Sequence, residues 1–596
     1  MARHITAPAG RKTGRKRPGW RRHARTGCGG WRVAVVASGV ALLGACAHDT
    51  SSLHAVQDPL SSYVKARLAE KLADPRAGEL FYAITKAGVM DERVRQSALF
   101  QLILEGRLEK ARTVARQMRL SGDRTDLPAL IATLEQLRRG DGRAALAELE
   151  TLAPKGFSQV IRPVLTAWAR ALAGDRDAAL QALRPLENRY GLKAYAKMER
   201  ALLLDFLGEQ ERAATAYKAL VYRRGLPSLE PLVSYLALLR RSGRETEATT
   251  VLADMRKAFP ANAVLADVAR RIANGMPLPA RAATPRGAVA VILLELAEEI
   301  AREDLLRPAI IYARLAQWLA PDYDEATVRL VDLLSRADYH DLARTEARRV
   351  AHDSPWWGAA QRAAALAQRR AGDMAGAIAT LKGYLARYPE DIDSWVLFGD
   401  LLRLAERYEE AINAYSRAIA RMQERQLQPG WYPFFARGVA FERKGDWPHA
   451  EADFLTALKK KPDEADVLNY LGYSWLDRGM RIDEAITLIE RAAALKPDDG
   501  AIVDSLGWAY YVRGEIDKAV ETLERAVLLM PNDPTINEHL GDAYWRAGRY
   551  REARFQWAHA LAFHPEPERR TALERKLRLG LVGGSARTAS TEQPNS

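Results

Sequence analysis

The chain has 596 residues, 48% of them hydrophobic and 28% charged, and a formal net charge of +14. The basic excess is local, because residues 1–45 hold ten Arg or Lys and no acid, leaving 79 basic against 75 acidic side chains in the rest. A nucleic-acid surface needs a basic stripe that releases counterions from phosphates, and composition beyond residue 45 argues against one. With two cysteines, Cys28 and Cys46, a disulfide framework is also excluded if the chain is cut between them.

Residues 1–45 read as a signal peptide. A basic stretch, GRKRPGWRRHARTGCGGWR, precedes thirteen small and apolar residues, VAVVASGVALLGA. That run is shorter than the ~20 residues of a spanning helix. Leu43-Gly44-Ala45-Cys46 resembles a bacterial lipobox, which implies cleavage before Cys46 and lipidation of that residue. Ala47 stands where the lipoprotein sorting rule looks for an inner-membrane Asp, so the resemblance implies an outer-membrane address on the periplasmic side. Ala45-Cys46-Ala47 also fits a small-x-small site for signal peptidase I, which would release a soluble periplasmic protein. The polar stretch that follows, residues 46–62, is expected to be a flexible tether.

A ruler then runs through the sequence. Ala111, Ala145, Ala179, Ala213, Ala248, Ala309, Ala343, Ala377, Ala411, Ala450, Ala485, Ala519 and Ala553 are separated by 34 or 35 residues, apart from steps of 61 and 39. Five residues before the alanine stands a turn glycine in many units, among them Gly106, Gly140, Gly174, Gly208, Gly243, Gly372, Gly445, Gly514 and Gly548. Glycine there suits the left-handed end of a helix. Twelve residues after the alanine, proline closes the unit at Pro260, Pro321, Pro355, Pro389, Pro462, Pro497, Pro531 and Pro565, since it cannot continue a helix. Repeated helical hairpins of this length are too thin to bury their own apolar faces and must stack.

These marks resemble the tetratricopeptide repeat. Gly507, Tyr510, Ala519, Ala526 and Pro531 fall on its signature positions, as do Gly541, Tyr544, Ala553, Ala560 and Pro565. The resemblance implies an all-α, right-handed superhelical solenoid of about 13 hairpins in two blocks. The amino-terminal block, 63–273, is divergent; Leu99, Thr133 and Leu236 replace the small residue of the first helix, and looser hairpins are expected there. Residues 274–287, NGMPLPARAATPRG, read as a linker, and 288–565 as the second block. Within it the insertion QLQPGWYP, residues 426–433, offers either a binding lip or a cover for the next hairpin's edge. Residues 566–581 read as a capping helix with Leu573, Leu577 and Leu579 near one face, and 582–596 as a disordered tail.

No HExxH, GxxxxGK[ST] or GxSxG occurs, and the ten histidines are scattered; His559 and His564 are too poorly spaced to share a helical face. No catalytic centre, metal or cofactor is therefore expected. In the repeat family the first helix of each hairpin lines a concave groove. Its contact positions fall on Asn469, Tyr473, Asp504, Trp508, Tyr511, Glu538, Asp542, Trp545 and Arg546, an aromatic and acidic set. The Lys, Asn and Arg set that clamps a terminal carboxylate in chaperone-docking members is missing. Aromatic anchors beside acids suit a protein or peptide with apolar and basic groups. The expected function is a non-catalytic scaffold for an envelope, secretion or polysaccharide-export complex, with unidentified envelope proteins as partners, no nucleic acid, and the membrane reached through the lipid. A soluble periplasmic chaperone-like peptide binder and an accessory subunit of an envelope enzyme are the alternatives.

Overall fold

A computed structural model describes residues 58–581, except 89, 90, 124, 154–155, 189–191, 223–228, 260–261 and 282–283. The signal peptide, Cys46, most of the expected tether, Pro260 and the tail lie outside the described residues. Every described element is a helix.

The ruler alanines locate the packing. All thirteen have 0% exposure, and each lies in the second helix of a hairpin such as Gly500–Arg513 with Ile516–Leu529. A methyl group at that position lets the two helices approach, and the first helix answers with glycine. A Cβ on Gly507 would stand 2.6 Å from Leu523, and one on Gly541 2.4 Å from Trp557. Aspartates start many of the helices by accepting from free backbone N–H groups; Asp533, for example, takes those of Thr535 and Ile536. Gly514 ends its helix at φ 87°. Units without the glycine force other residues into the same conformation: Asp304, Asp338 and Glu406 have φ of 60°, 67° and 59°.

Adjacent first helices approach one another more closely than adjacent second helices do. The stack therefore curves with the first helices inside. From residue 365 onward, small apolar clusters follow one another between neighbouring hairpins.

The amino-terminal part departs from expectation in three ways. Leu99, Thr133 and Leu236 are buried to 1%, 0% and 0%, so these hairpins are not loose; their divergence appears instead as short second helices, Gly142–Leu149 and Arg176–Gln181. The expected tether ends early, because Asp58 caps a helix Pro59–Lys71 that pairs with Ala77–Lys86. Ala263–Ala273 is the last helix of the amino-terminal block. Finally, residues 274–287 do not divide two cores.

One continuous apolar cluster runs through residues 66–367. The helix Pro285–Arg302 turns back and packs on the first helices Asp126–Arg139, Ser158–Leu172 and Lys193–Phe206, so it fills the inner face of the preceding repeats. Its residues 287–294 are all buried, which explains an apolar run with no polar side. The preceding segment is tied down as well. The backbone N–H of Arg281 donates to Glu230 at 2.6 Å and its guanidinium to Asp322 at 2.5 Å. Proline and glycine do break the helix there, but the fold uses the break to reverse the chain into its own groove.

Candidate protein-binding groove

The expected contact residues come together on three successive first helices, Ala465–Asp477, Gly500–Arg513 and Pro534–Arg546. Their side chains do not form one open acidic surface. Asp504 is 6% exposed and lies 3.0 Å through each carboxylate oxygen from His539 Nδ1 of the next repeat. Burial disfavours a charged imidazole at His539, but the carboxylate of Asp504, with Glu538 and Asp542 behind it, outweighs that cost and holds the pKa above its ordinary value. Trp508 stacks on both His539 and Tyr511, with ring centroids 4.2 and 4.6 Å apart. Arg546 lies over the Tyr511 ring at 5.5 Å.

The other two acids are also spent internally. Lys576, from the capping helix Pro567–Leu579, places its ammonium 2.7 Å from Glu538 and 2.6 Å from Asp542. Burial opposes its charge, yet the two carboxylates keep its pKa above the usual lysine value. Asp542 further accepts from Trp557 Nε1 at 2.8 Å, and Arg569 lies 3.4 Å from Glu538. Trp545 packs on Tyr550 and Trp557 with Arg554 over its ring. The expectation that Asp504, Glu538 and Asp542 face a partner is thus corrected. Here the next repeat supplies His539 and the cap supplies Lys576 to these acids.

What remains at the surface is narrower. Asn469, Tyr473, Trp508 and Trp545 are partly exposed and Arg546 is exposed. The Tyr473 hydroxyl is pushed up to about 12, first by burial and then by Asp504 and Asp477, so it is a neutral donor. Asn469 Oδ1 is itself buried and has no hydrogen-bond partner among the described residues. The same register on the preceding unit places partly exposed Phe435, edge-on to Tyr470 at 5.7 Å. The open part of the groove is therefore chiefly aromatic.

Sequence reasoning missed His539, Lys576 and Arg569. His539 was grouped with scattered histidines, although its 35-residue separation from Asp504 is one repeat step plus one, the spacing of neighbouring first helices. Lys576 was hidden in a cap read only for its leucines. Of those, Leu573 is buried, Leu577 partly buried, and Leu579 56% exposed. In the 426–433 insertion, the Tyr432 hydroxyl shares the Asp400 carboxylate with Tyr415, both at 2.7 Å, so Tyr432 joins two hairpins. No group of His, Cys, Asp and Glu able to hold a metal occurs among the described residues, and no described helix is long and apolar enough to cross a membrane.

Family models match the carboxy-terminal repeats. A tetratricopeptide repeat model matches residues 362–425 and 435–500, and a TPR repeat model matches 507–548. The TPR repeat-containing protein PA4667 of Pseudomonas aeruginosa is 40% identical over 82 residues, which span 14% of this chain and 14% of that protein. Among solved structures, that titled APC/C hetero-tetramer Cut9-Hcn1 is 16% identical, covering 83% of this chain and 98% of its own, with a TM-score of 0.38. YrrB, titled a TPR protein with an unusual peptide-binding site, is 17% identical over 33% of this chain and 97% of its own, with a TM-score of 0.26. The family-model matches support tetratricopeptide repeats across the carboxy-terminal segments, and such repeats indicate a protein–protein interaction scaffold. Proteins of this kind are in general non-catalytic.

Proposed function

We propose that the chain is a non-catalytic scaffold, lipid-anchored through Cys46 on the periplasmic face of the outer membrane, that holds a protein or peptide partner during assembly of an envelope complex. The observation that carries the binding part is the partly exposed ladder of Phe435, Asn469, Tyr473 and Trp508 on successive first helices. Partly exposed aromatic rings in register on successive helices suit an extended segment whose apolar side chains meet them. The amino-terminal repeats have their inner face filled by Pro285–Arg302, which leaves the carboxy-terminal groove as the place for a partner. The anchor rests on the Leu43–Cys46 motif after a basic and then apolar leader.

Crosslinking in the native envelope, comparing the unaltered chain with Tyr473→Ala/Trp508→Ala, tests the groove. Loss of a specific crosslinked partner at unchanged helical content supports the assignment; full recovery removes it. Labelled palmitate with globomycin tests the anchor separately: incorporation and precursor build-up are expected. Absence of both would favour the soluble periplasmic binder.

A further inference from the structure

The first described helix, Pro59–Lys71, carries an apolar ridge that no part of the described fold covers. Leu60, Val64, Leu68 and the C-cap Leu72 are 71%, 58%, 41% and 61% exposed. Four-residue spacing puts all four on one face. The opposite face is fully used: Ala66 and Ala69 are buried, and Tyr63 meets Phe81 edge-on at 6.3 Å. Isolated exposed leucines are ordinary, but four aligned on a terminal helix are not, because the end of a solenoid normally turns a polar face outward. Exposed Lys65 borders the ridge and exposed Lys71 lies at its carboxy-terminal end, and neither is ion-paired among the described residues.

We propose that this face is a membrane-contact surface, seated at the headgroup level of an anionic bilayer with Leu60, Val64, Leu68 and Leu72 dipping inward and Lys65 and Lys71 on lipid phosphates. An exposed apolar stripe with lysines beside it suits a helix resting on an anionic membrane surface. Chain length argues for the same occupant. Asp58 caps the helix twelve positions after Cys46, a reach of at most about 40 Å even if fully extended. A chain anchored at Cys46 thus keeps this helix beside the bilayer, so the inference extends the proposed anchor. A second copy is a poorer occupant. One short helix falls below the roughly 800 Å² per partner of a stable interface. The anchor would set distance, and the ridge would set which way the solenoid points.

The test uses the full chain with Cys28→Ser and Cys46→Ser, so that no acyl chain contributes. An environment-sensitive probe is placed on Val64→Cys, with a control probe on Lys518→Cys, and vesicles of phosphatidylethanolamine and brominated phosphatidylglycerol are added. Quenching at position 64 but not at 518, lost with Leu60→Ser/Leu68→Ser and weakened by salt or by neutral phosphatidylcholine vesicles, is expected. A position-64 probe that stays unquenched, whether or not the chain sediments with the vesicles, overturns the proposal. So does a probe already shielded before vesicles are added, through self-association or the chain's own leader. Palmitate labelling reports on Cys46 alone, so failure of the anchor and failure of the ridge are distinguishable.

Discussion

The guanidinium of Arg314 donates to the backbone carbonyl of Leu104 at 3.0 Å, across 210 positions of sequence. The same side chain, 1% exposed, pairs with Glu346 at 2.8 Å and donates to Gln317 at 2.9 Å, while Gln317 reaches Thr327 and Glu346. A solenoid in which repeats touch only their neighbours has no place for such a bond. Here the helix Leu306–Leu319 packs against Glu92–Leu104, and Arg314 marks where the amino-terminal repeats close on themselves.

Removing one member of this buried cluster should be costly. Arg314→Ala leaves the Leu104 carbonyl without its donor and Glu346 with only Gln317 and the more exposed Arg349, and a loss of about 3 kcal/mol is expected. Arg314→Met/Glu346→Leu, which removes both charges, should recover much of it. Urea titration of the three proteins checks this; equal destabilisation by the single and double variants would contradict it.

The cap provides a second prediction. Lys576→Met leaves Glu538 and Asp542 buried without their ammonium and should cost about 3 kcal/mol. The effect should be local, because repeat arrays transmit stability mainly to nearest neighbours. Hydrogen exchange should therefore quicken in Pro534–Arg546 and Pro567–Leu579 and stay unchanged in Pro285–Arg302.

Backbone strain at the inner turns can be relieved. Glu406 is exposed and holds φ at 59° where other units place glycine. Glu406→Gly should stabilise its hairpin by about 1 kcal/mol, read as a rise in the midpoint of thermal unfolding. Gly514→Glu should move the midpoint the other way.

Stability should also depend on pH through Glu199, which is fully buried. One oxygen accepts from Trp168 Nε1 at 2.8 Å and the other lacks a hydrogen-bond partner among the described residues. Burial, and then the nearby charge of Glu295, push its pKa up to about 8 against the pull of Trp168. The folded state thus holds a proton that the unfolded chain releases near the ordinary glutamate value. Its contribution is complete below about 4.5 and is lost as pH rises through about 8, by at most about 1.4 kcal/mol per pH unit. Glu199→Gln should flatten that slope; an unchanged slope would assign the proton elsewhere.

The repeat period, the turn glycines and the closing prolines made the hairpins legible in sequence, because each mark answers a local steric demand that recurs at every unit. Ala519 must be small and Gly514 must adopt positive φ whatever partner the chain binds. The contact positions were legible as positions on a helix, but not in their state. Whether Asp504, Glu538 and Asp542 face solvent depends on His539 and Lys576 arriving from other helices, and charge pairing between helices leaves no periodic trace. The same limit applies at residues 274–287. Their composition shows that a helix stops; it does not show that the next one, Pro285–Arg302, folds back into the groove before it. The sequence by itself determined the hairpins and their order, through spacing. Only the tertiary structure decided which groove stays open, since that depends on apolar surface and charge meeting across as many as 210 residues.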